Sequence, residues 1–127
     1  TVSPDANGIY YIENVAGTGE LIQRGDSVGI RYTGNFLSGK KFDDNLEADT
    51  PFRFRVGSPF IIEGWSMTLL KMKMGSKAKV IMPSKMAYGS MGFGTYDYYG
   101  NYYTIIPGYS PLLFEMEVVE LTRKTKK

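Results

Sequence analysis

Neither cysteine nor histidine occurs anywhere in the 127 residues. That double absence removes disulfides, thiol nucleophiles, imidazole bases and the commonest zinc ligands in one step. Long apolar runs are missing too. Stretches such as Phe60-Ile61-Ile62 and Pro111-Leu112-Leu113-Phe114 are far shorter than the roughly 20 residues of a membrane helix, so a soluble chain with no membrane-spanning segment is expected. Basic residues are absent between Lys85 and Arg123. A nucleic-acid surface needs Lys and Arg spread through the fold, so nucleic acid is not an expected partner. The formal charge of +2 arises at the end of the chain, from Arg123, Lys124, Lys126 and Lys127; without them eleven basic residues face thirteen acidic ones.

What remains is a chain of one-domain size, 43% hydrophobic and rich in aromatics, long enough to bury one continuous core. The dominant pattern is period-two alternation, the mark of strands with one buried face. Val28, Ile30 and Tyr32 alternate with Ser27, Gly29 and Arg31, and Phe52, Phe54 and Val56 with Arg53 and Arg55. Ala78, Val80 and Met82 alternate with Lys77 and Lys79, and Leu112, Phe114, Met116 and Val118 with Leu113, Glu115 and Glu117. An earlier strand is expected over Ile9 to Val15, with turns at Gly17-Thr18-Gly19, Arg24-Gly25-Asp26 and Leu37-Ser38-Gly39.

One segment breaks the period. Trp65, Leu69 and Met72 recur at i, i+4 and i+7, which predicts a short helix over Glu63 to Met72, entered at Ser58-Pro59 and left at Gly75. A single helix cannot bury itself, so it should lie across the concave face of the sheet, giving an α+β domain. From Met91 to Thr104 no period is sustained: aromatic residues alternate irregularly with glycines. This predicts a long exposed loop of the kind that carries binding, with Tyr99-Gly100-Asn101 as a candidate hairpin turn.

Several phrases, in order, resemble the FKBP-type peptidyl-prolyl cis/trans isomerases. They are Gly25-Asp26 with Val28 and Tyr32-Thr33-Gly34, Gly39-Lys40-Lys41-Phe42-Asp43, Pro51-Phe52-Arg53-Phe54 with Val56-Gly57, and Ile61-Ile62-Glu63-Gly64-Trp65. They continue as Met74-Gly75-Ser76-Lys77-Ala78, Pro83 with Ala87-Tyr88-Gly89, Ile105-Ile106-Pro107, and Leu112-Leu113-Phe114 leading to Val118, Glu120 and Leu121. The likeness runs from about Gly8 to Leu121. The start, Gly8-Ile9-Tyr10-Tyr11-Ile12 into Ala16-Gly17-Thr18-Gly19, is similar to bacterial exported members. Together with Thr1 in place of Met and the polar run to Asn7, it leads us to expect a periplasmic or envelope protein, the alternative being the cytoplasm.

The resemblance implies a curved antiparallel sheet of five to six strands wrapped around one short helix, as residues 8–121, between a polar N-terminal segment (1–7) and a basic tail (122–127). It implies an isomerase that turns X-Pro bonds of client polypeptides without metal, cofactor or covalent intermediate. Its pocket would have Trp65 as floor, and Tyr32, Phe42, Phe52, Ile61, Ile62 and Phe114 as walls. The loop after Tyr88 and the Ile105-Ile106 pair would flank the mouth. Asp43, bonded to Tyr32, would be the polar group at the edge, and Asp43, Tyr32 and Tyr88 the catalytic set. In the family the Ile62 N–H and the Tyr88 hydroxyl donate to bound carbonyls. Macrolides of the rapamycin type are implied ligands. The long loop at 91–104 and Tyr109, where many members carry histidine, depart from the pattern and bear on which ligands fit.

Rival readings are weaker. Asp43, Asn45 and Glu47 stand as in the start of a calcium loop, yet Ala48 and Phe54 occupy the positions that need glycine and glutamate. Asp43 and Asp44 are sequence neighbours, which on a strand point to opposite faces, so paired-carboxylate hydrolysis is not expected. The serious alternative is a peptide-binding or chaperone module of the same fold with little isomerase activity, the tyrosine-rich loop serving as a client-binding flap.

Overall fold

The computed structural model describes residues 3–123. The expectations made for Thr1 and for Lys124, Lys126 and Lys127 lie outside the described residues. In chain order the elements are β1 (Tyr10–Val15), β2 (Ser27–Phe36), β3 (Lys41–Asp44), β4 (Phe52–Arg55), α1 (Glu63–Leu69), β5 (Lys77–Met82), a 3-10 turn (Ser84–Met86), β6 (Phe93–Tyr96), β7 (Tyr102–Ile106) and β8 (Leu112–Thr122). Six strands form one antiparallel sheet in the order β1-β5-β8-β2-β3, with β4 also paired to β2. The α+β architecture with a single short helix is as the sequence predicts.

The alternating sets fall as their period demands. Val28, Ile30, Ala78, Val80, Met82, Leu112, Phe114, Met116 and Val118 are buried and meet Trp65 and Leu69 of the helix in one core. The expected helix is too long at its C-terminal end. It stops at Leu69, and Met72 is buried from the turn that follows, its N–H bonded to the Leu69 carbonyl. Hydrophobic burial therefore carries the stripe past the last helical residue. Gly75 (φ 85°) belongs to the turn into β5 and not to the helix exit.

Strand β2 is the axis of the molecule. One edge pairs along its whole length with β8, while the other is shared: Ser27 to Ile30 with β4, Thr33 to Asn35 with β3. Between them Arg31 and Tyr32 face no strand, and a side chain fills the gap. The Asn45 amide accepts from the Tyr32 N–H (2.8 Å) and donates to the Ile30 carbonyl (2.7 Å), while the Asn45 N–H donates to the Tyr32 carbonyl. Arg31 Nη1 donates to the carbonyls of Asn45, Ala48 and Thr50 (2.7, 2.8 and 3.2 Å), holding the loop that would otherwise leave the sheet. Backbone groups at a sheet edge must find partners, and here they fix the position of Tyr32.

The segment before β1 is not loose. Asp5 accepts from the N–H groups of Asn7 and Ile9 and forms an ion pair with Lys71 just beyond the helix (2.7 Å). At the other end, Arg123 Nη1 lies 3.5 Å from Glu20 and 3.7 Å from the buried Asp26. Within 91–104 the candidate hairpin at Tyr99-Gly100-Asn101 is present and longer than a turn alone: β6 pairs with β7, and among the described residues with no other strand, across a turn from Asp97 to Asn101. Its strands escaped the alternation test because their aromatic rings stay exposed and glycines interrupt the period.

Candidate active site

Trp65 sits one turn into α1, where the helix crosses the sheet, and is 5% exposed. Four rings surround its indole: Tyr32 at 4.9 Å, Phe114 at 5.4 Å, Phe54 at 5.7 Å and Phe52 at 5.9 Å between centroids. Tyr32 and Phe114 meet it edge-on, at 77° and 90°. Such pairs contribute about 0.5–1.5 kcal/mol each beyond area burial, so the floor is held rigidly by its neighbours. Phe42 closes the ring set against Phe114 at 5.8 Å. Gly34 makes that contact possible: a Cβ there would lie 2.7 Å from the Phe42 ring and 3.0 Å from Phe114.

Trp65, Tyr32, Phe52, Phe114 and Phe42, but not Phe54, line a cavity of about 350 Å³ together with Asp43, Ile61, Ile62, Tyr88, Phe60 and Phe93. Of the ten site residues expected from the sequence, nine meet there, and Ile106 does not. Ile106 is 2% exposed and packs in the core. Phe60 and Phe93 were not expected. Phe60 is 92% exposed at the lip, and Phe93 stacks on Tyr88 at 5.4 Å. Phe60 lay inside an apolar run and Phe93 inside a segment read as loop, so no sequence signal separated them from their neighbours.

The polar groups stand at the edge of an apolar chamber. Tyr32 Oη donates to Asp43 Oδ2 at 2.6 Å. Burial first, and then the hydrogen bond and negative charge of Asp43, push the Tyr32 phenol well above its ordinary value, so it remains a donor. Burial and the Asp43 charge also raise the Tyr88 phenol, whose hydroxyl has no protein partner among the described residues. The Ile62 N–H, at the start of the helix, is likewise unpaired among them. Two residues that line the cavity therefore carry donors without a protein partner among the described residues. Asp44 does not join Asp43; it pairs with Lys41 at 2.6 Å. Asn45 is committed to the sheet edge described above, which gives it a structural duty in place of a metal-binding one.

A larger depression, about 430 Å³, lies elsewhere on the sheet and is lined by Arg31, Lys77, Lys79, Glu115 and Glu117 among others. The register sets Glu117 opposite both Lys77 and Arg31, and Glu115 opposite Lys79. Opposite charges that face one another across strands are what a solvated sheet face carries, and the chamber over Trp65 is the better candidate.

The profile of the FKBP-type peptidyl-prolyl cis-trans isomerase family matches residues 19–119. FK506-binding protein 2 of Dictyostelium discoideum is 39% identical over 95 residues, covering 75% of this chain and 65% of its own length. The chain spans 21% and 28% of two further curated relatives, so it corresponds to only part of these proteins. Among solved structures, a peptidyl-prolyl cis-trans isomerase of Pseudomonas syringae pv. tomato matches with a TM-score of 0.78 and 33% identity, over 96% of this chain and 81% of the other. FkpA of Escherichia coli matches with a TM-score of 0.80 and 30% identity, over 98% and 53%. With its sheet, its helix and most of its length accounted for in this way, the chain belongs to the FKBP-type peptidyl-prolyl cis-trans isomerase family.

Proposed function

We propose that the protein is a peptidyl-prolyl cis/trans isomerase acting on X-Pro bonds of polypeptide clients, with the Trp65 chamber as its active site. The observation that carries this reading is the set of aromatic and aliphatic side chains gathered over Trp65 around one cavity, with the Tyr32–Asp43 pair beside them. Rotation about an imide bond makes and breaks no covalent bond, but its barrier is about 18–20 kcal/mol and unaided exchange takes tens to hundreds of seconds. Resonance keeps the bond planar by placing partial charge on oxygen and nitrogen. A dry apolar chamber solvates that polar planar form less well than water does, and the twisted form, having lost the charge separation, suffers less. A ten-thousandfold acceleration requires only about 5.5 kcal/mol of such differential stabilisation.

In this reading Trp65, Phe42, Phe52, Phe114, Ile61 and Ile62 grip the pyrrolidine ring. The Ile62 N–H and the Tyr88 hydroxyl bind carbonyls of the client chain. Asp43, locked by Tyr32, supplies a fixed negative edge to the chamber. Residues 8–121 form the functional unit. Macrolides of the rapamycin type fit the same chamber, with Phe60 and Phe93 deciding how their rims seat. The likeness to FKBP-family structures from two bacteria supports an envelope location.

The test is turnover of X-Pro tetrapeptides, followed by the cis-to-trans relaxation of the labelled bond. Catalysis that Trp65→Leu abolishes supports the chamber. An intact protein that leaves the uncatalysed rate unchanged sinks the proposal.

A further inference from the structure

The two edges of the main sheet are built differently. At one end stand β3 and β4, four residues each. Lys41, Asp43 and Asp44 lie on β3, and Arg53 and Arg55 on β4. Short, charged strands are how sheets keep other chains from pairing with a free edge. Strand β1, at the other end, has six residues, Tyr10-Tyr11-Ile12-Glu13-Asn14-Val15, with a single charge and neither Lys nor Pro. Among the described residues it pairs with β5 alone.

Apolar side chains lie along that open edge. Tyr11 packs against the core, so by strand alternation Tyr10 and Ile12 point to the opposite, convex face. There the register sets Tyr10 beside Ile81 and then Leu113, both half-buried, and Ile12 beside Lys79. Tyr10, Ile12 and Val15 are 39%, 40% and 47% exposed. The open stretch has two stops. Before it, the Ile9 N–H donates to Asp5 Oδ1 and the Ile9 carbonyl accepts from the Asp5 N–H. After it, the register shifts between Glu13 and Val15. Between the stops, a bare backbone edge flanked by apolar side chains is a template for another strand.

We propose that β1 pairs antiparallel with β1 of a second copy of this chain, joining the two sheets about a two-fold axis at Ile12. Directly opposed residues of an antiparallel pair share a face, so a two-fold pairing must set one residue against itself. Centred on Glu13, the pair would set two carboxylates face to face, which is destabilising. Centred on Tyr11, it would run Glu13 into Ile9, whose backbone groups Asp5 already occupies. Centred on Ile12, it has neither fault. Ile12 meets its own copy, Tyr10 stands opposite Asn14, and Tyr11 stands opposite Glu13 on both sides of the axis. Tyr11 Oη already donates to Glu13 Oε1 within the chain at 3.2 Å, so the same phenol and carboxylate can partner across it. Each contact is made twice. No residue of β1 lines the Trp65 chamber, and each copy keeps its own chamber open.

A chain without cysteine allows a direct test, because a single introduced thiol can form a protein disulfide only with another molecule. Directly opposed Cα atoms lie about 4.5–5.5 Å apart, inside the span of about 4.4–6.8 Å that a disulfide bridges. Ile12→Cys in the full chain is therefore expected to give a covalent dimer in oxidised glutathione. Val15→Cys is the control: it is comparably exposed, but in this register it lies about 20 Å from its own copy, and it should cross-link about tenfold more slowly or less. In sedimentation velocity the parent should show a dimer fraction that rises with concentration. Ile12→Lys sets two like charges on the axis and should raise the dissociation constant about tenfold or more, with a urea midpoint close to the parent's. A parent that stays monomeric up to about 1 mM, equal cross-linking at positions 12 and 15, or an unchanged dimer in Ile12→Lys overturns the proposal. None of these readouts uses turnover, so the outcome is independent of the chamber's function.

Discussion

The chamber and the hairpin use the same kinds of side chain to opposite ends. In the chamber Trp65, Tyr32, Phe52 and Phe114 interlock, so each ring is both wall and structural member. On the hairpin the tyrosines pair locally and remain exposed, while glycines, Asp97 and backbone bonds hold the frame. The contrast teaches that aromatic content alone does not separate a site from a core; what matters is whether the rings support the fold or are supported by it. In the first case function and stability fall together on mutation, and in the second they separate.

The sharpest way to break the comparison is at the floor. Trp65→Ala removes the common partner of four rings and is expected to cost about 3–5 kcal/mol of unfolding free energy, read from urea denaturation. That is a large part of the total for a domain of this size, so Trp65→Leu, which keeps more volume, is the variant in which loss of turnover can be read on a folded protein. Next comes the sheet edge. Asn45→Ala strands the Tyr32 N–H and the Ile30 carbonyl, at an expected cost of about 1–3 kcal/mol. Because it displaces Tyr32, it should also lower tetrapeptide kcat/KM, whereas a purely structural role would leave the rate of the folded fraction unchanged.

Smaller effects sharpen the contrast. Asp43→Ala leaves Tyr32 without its acceptor at an exposed rim, so the urea midpoint should move little while turnover falls, by about tenfold if the carboxylate contributes about 1.4 kcal/mol to the transition state. Unchanged turnover would remove Asp43 from the catalytic set. The pH profile follows from the raised phenols of Tyr32 and Tyr88. A group whose pKa is higher in the folded state contributes stability that is complete below its unfolded value, about 10 for tyrosine, and is lost as pH rises through the folded value. Stability from these groups should be flat from about pH 7 to pH 9 and decline above about pH 10, and less so in Tyr32→Phe. The smallest expected change is in Tyr98→Ser/Tyr99→Ser, whose unfolding free energy should stay within about 0.5 kcal/mol of the parent, as for surface positions generally. A larger drop would mean that the hairpin rings support the fold after all, and the two regions would no longer differ in kind.

The main sheet was legible because alternation reports one buried face, and β5 carries it throughout and β8 from Leu112 to Val118. Strand β3 gives four residues with one apolar ring, too short a pattern to read alone. The helix was found by its stripe but drawn too long, since Met72 satisfies the period while lying in a turn. Likewise Ile105 and Ile106 are indistinguishable as letters, and only the bulge that skips Ile105 where Phe93 pairs with Ile106 and the packing beside it put Ile106 in the core.

By itself, then, the sequence determined the fold class and the chemistry that a chain without cysteine or histidine forgoes, which follow from local periodicity and residue type; the residues expected over Trp65 came from the resemblance of its phrases to a family and not from periodicity. Tertiary structure decided that Asn45 repairs a strand edge, that Phe60 and Phe93 extend the chamber, and that a glycine-rich segment stands up as a hairpin. Each of those depends on contacts between distant parts of the chain, where the same side chain is buried or exposed according to what the rest of the fold brings against it.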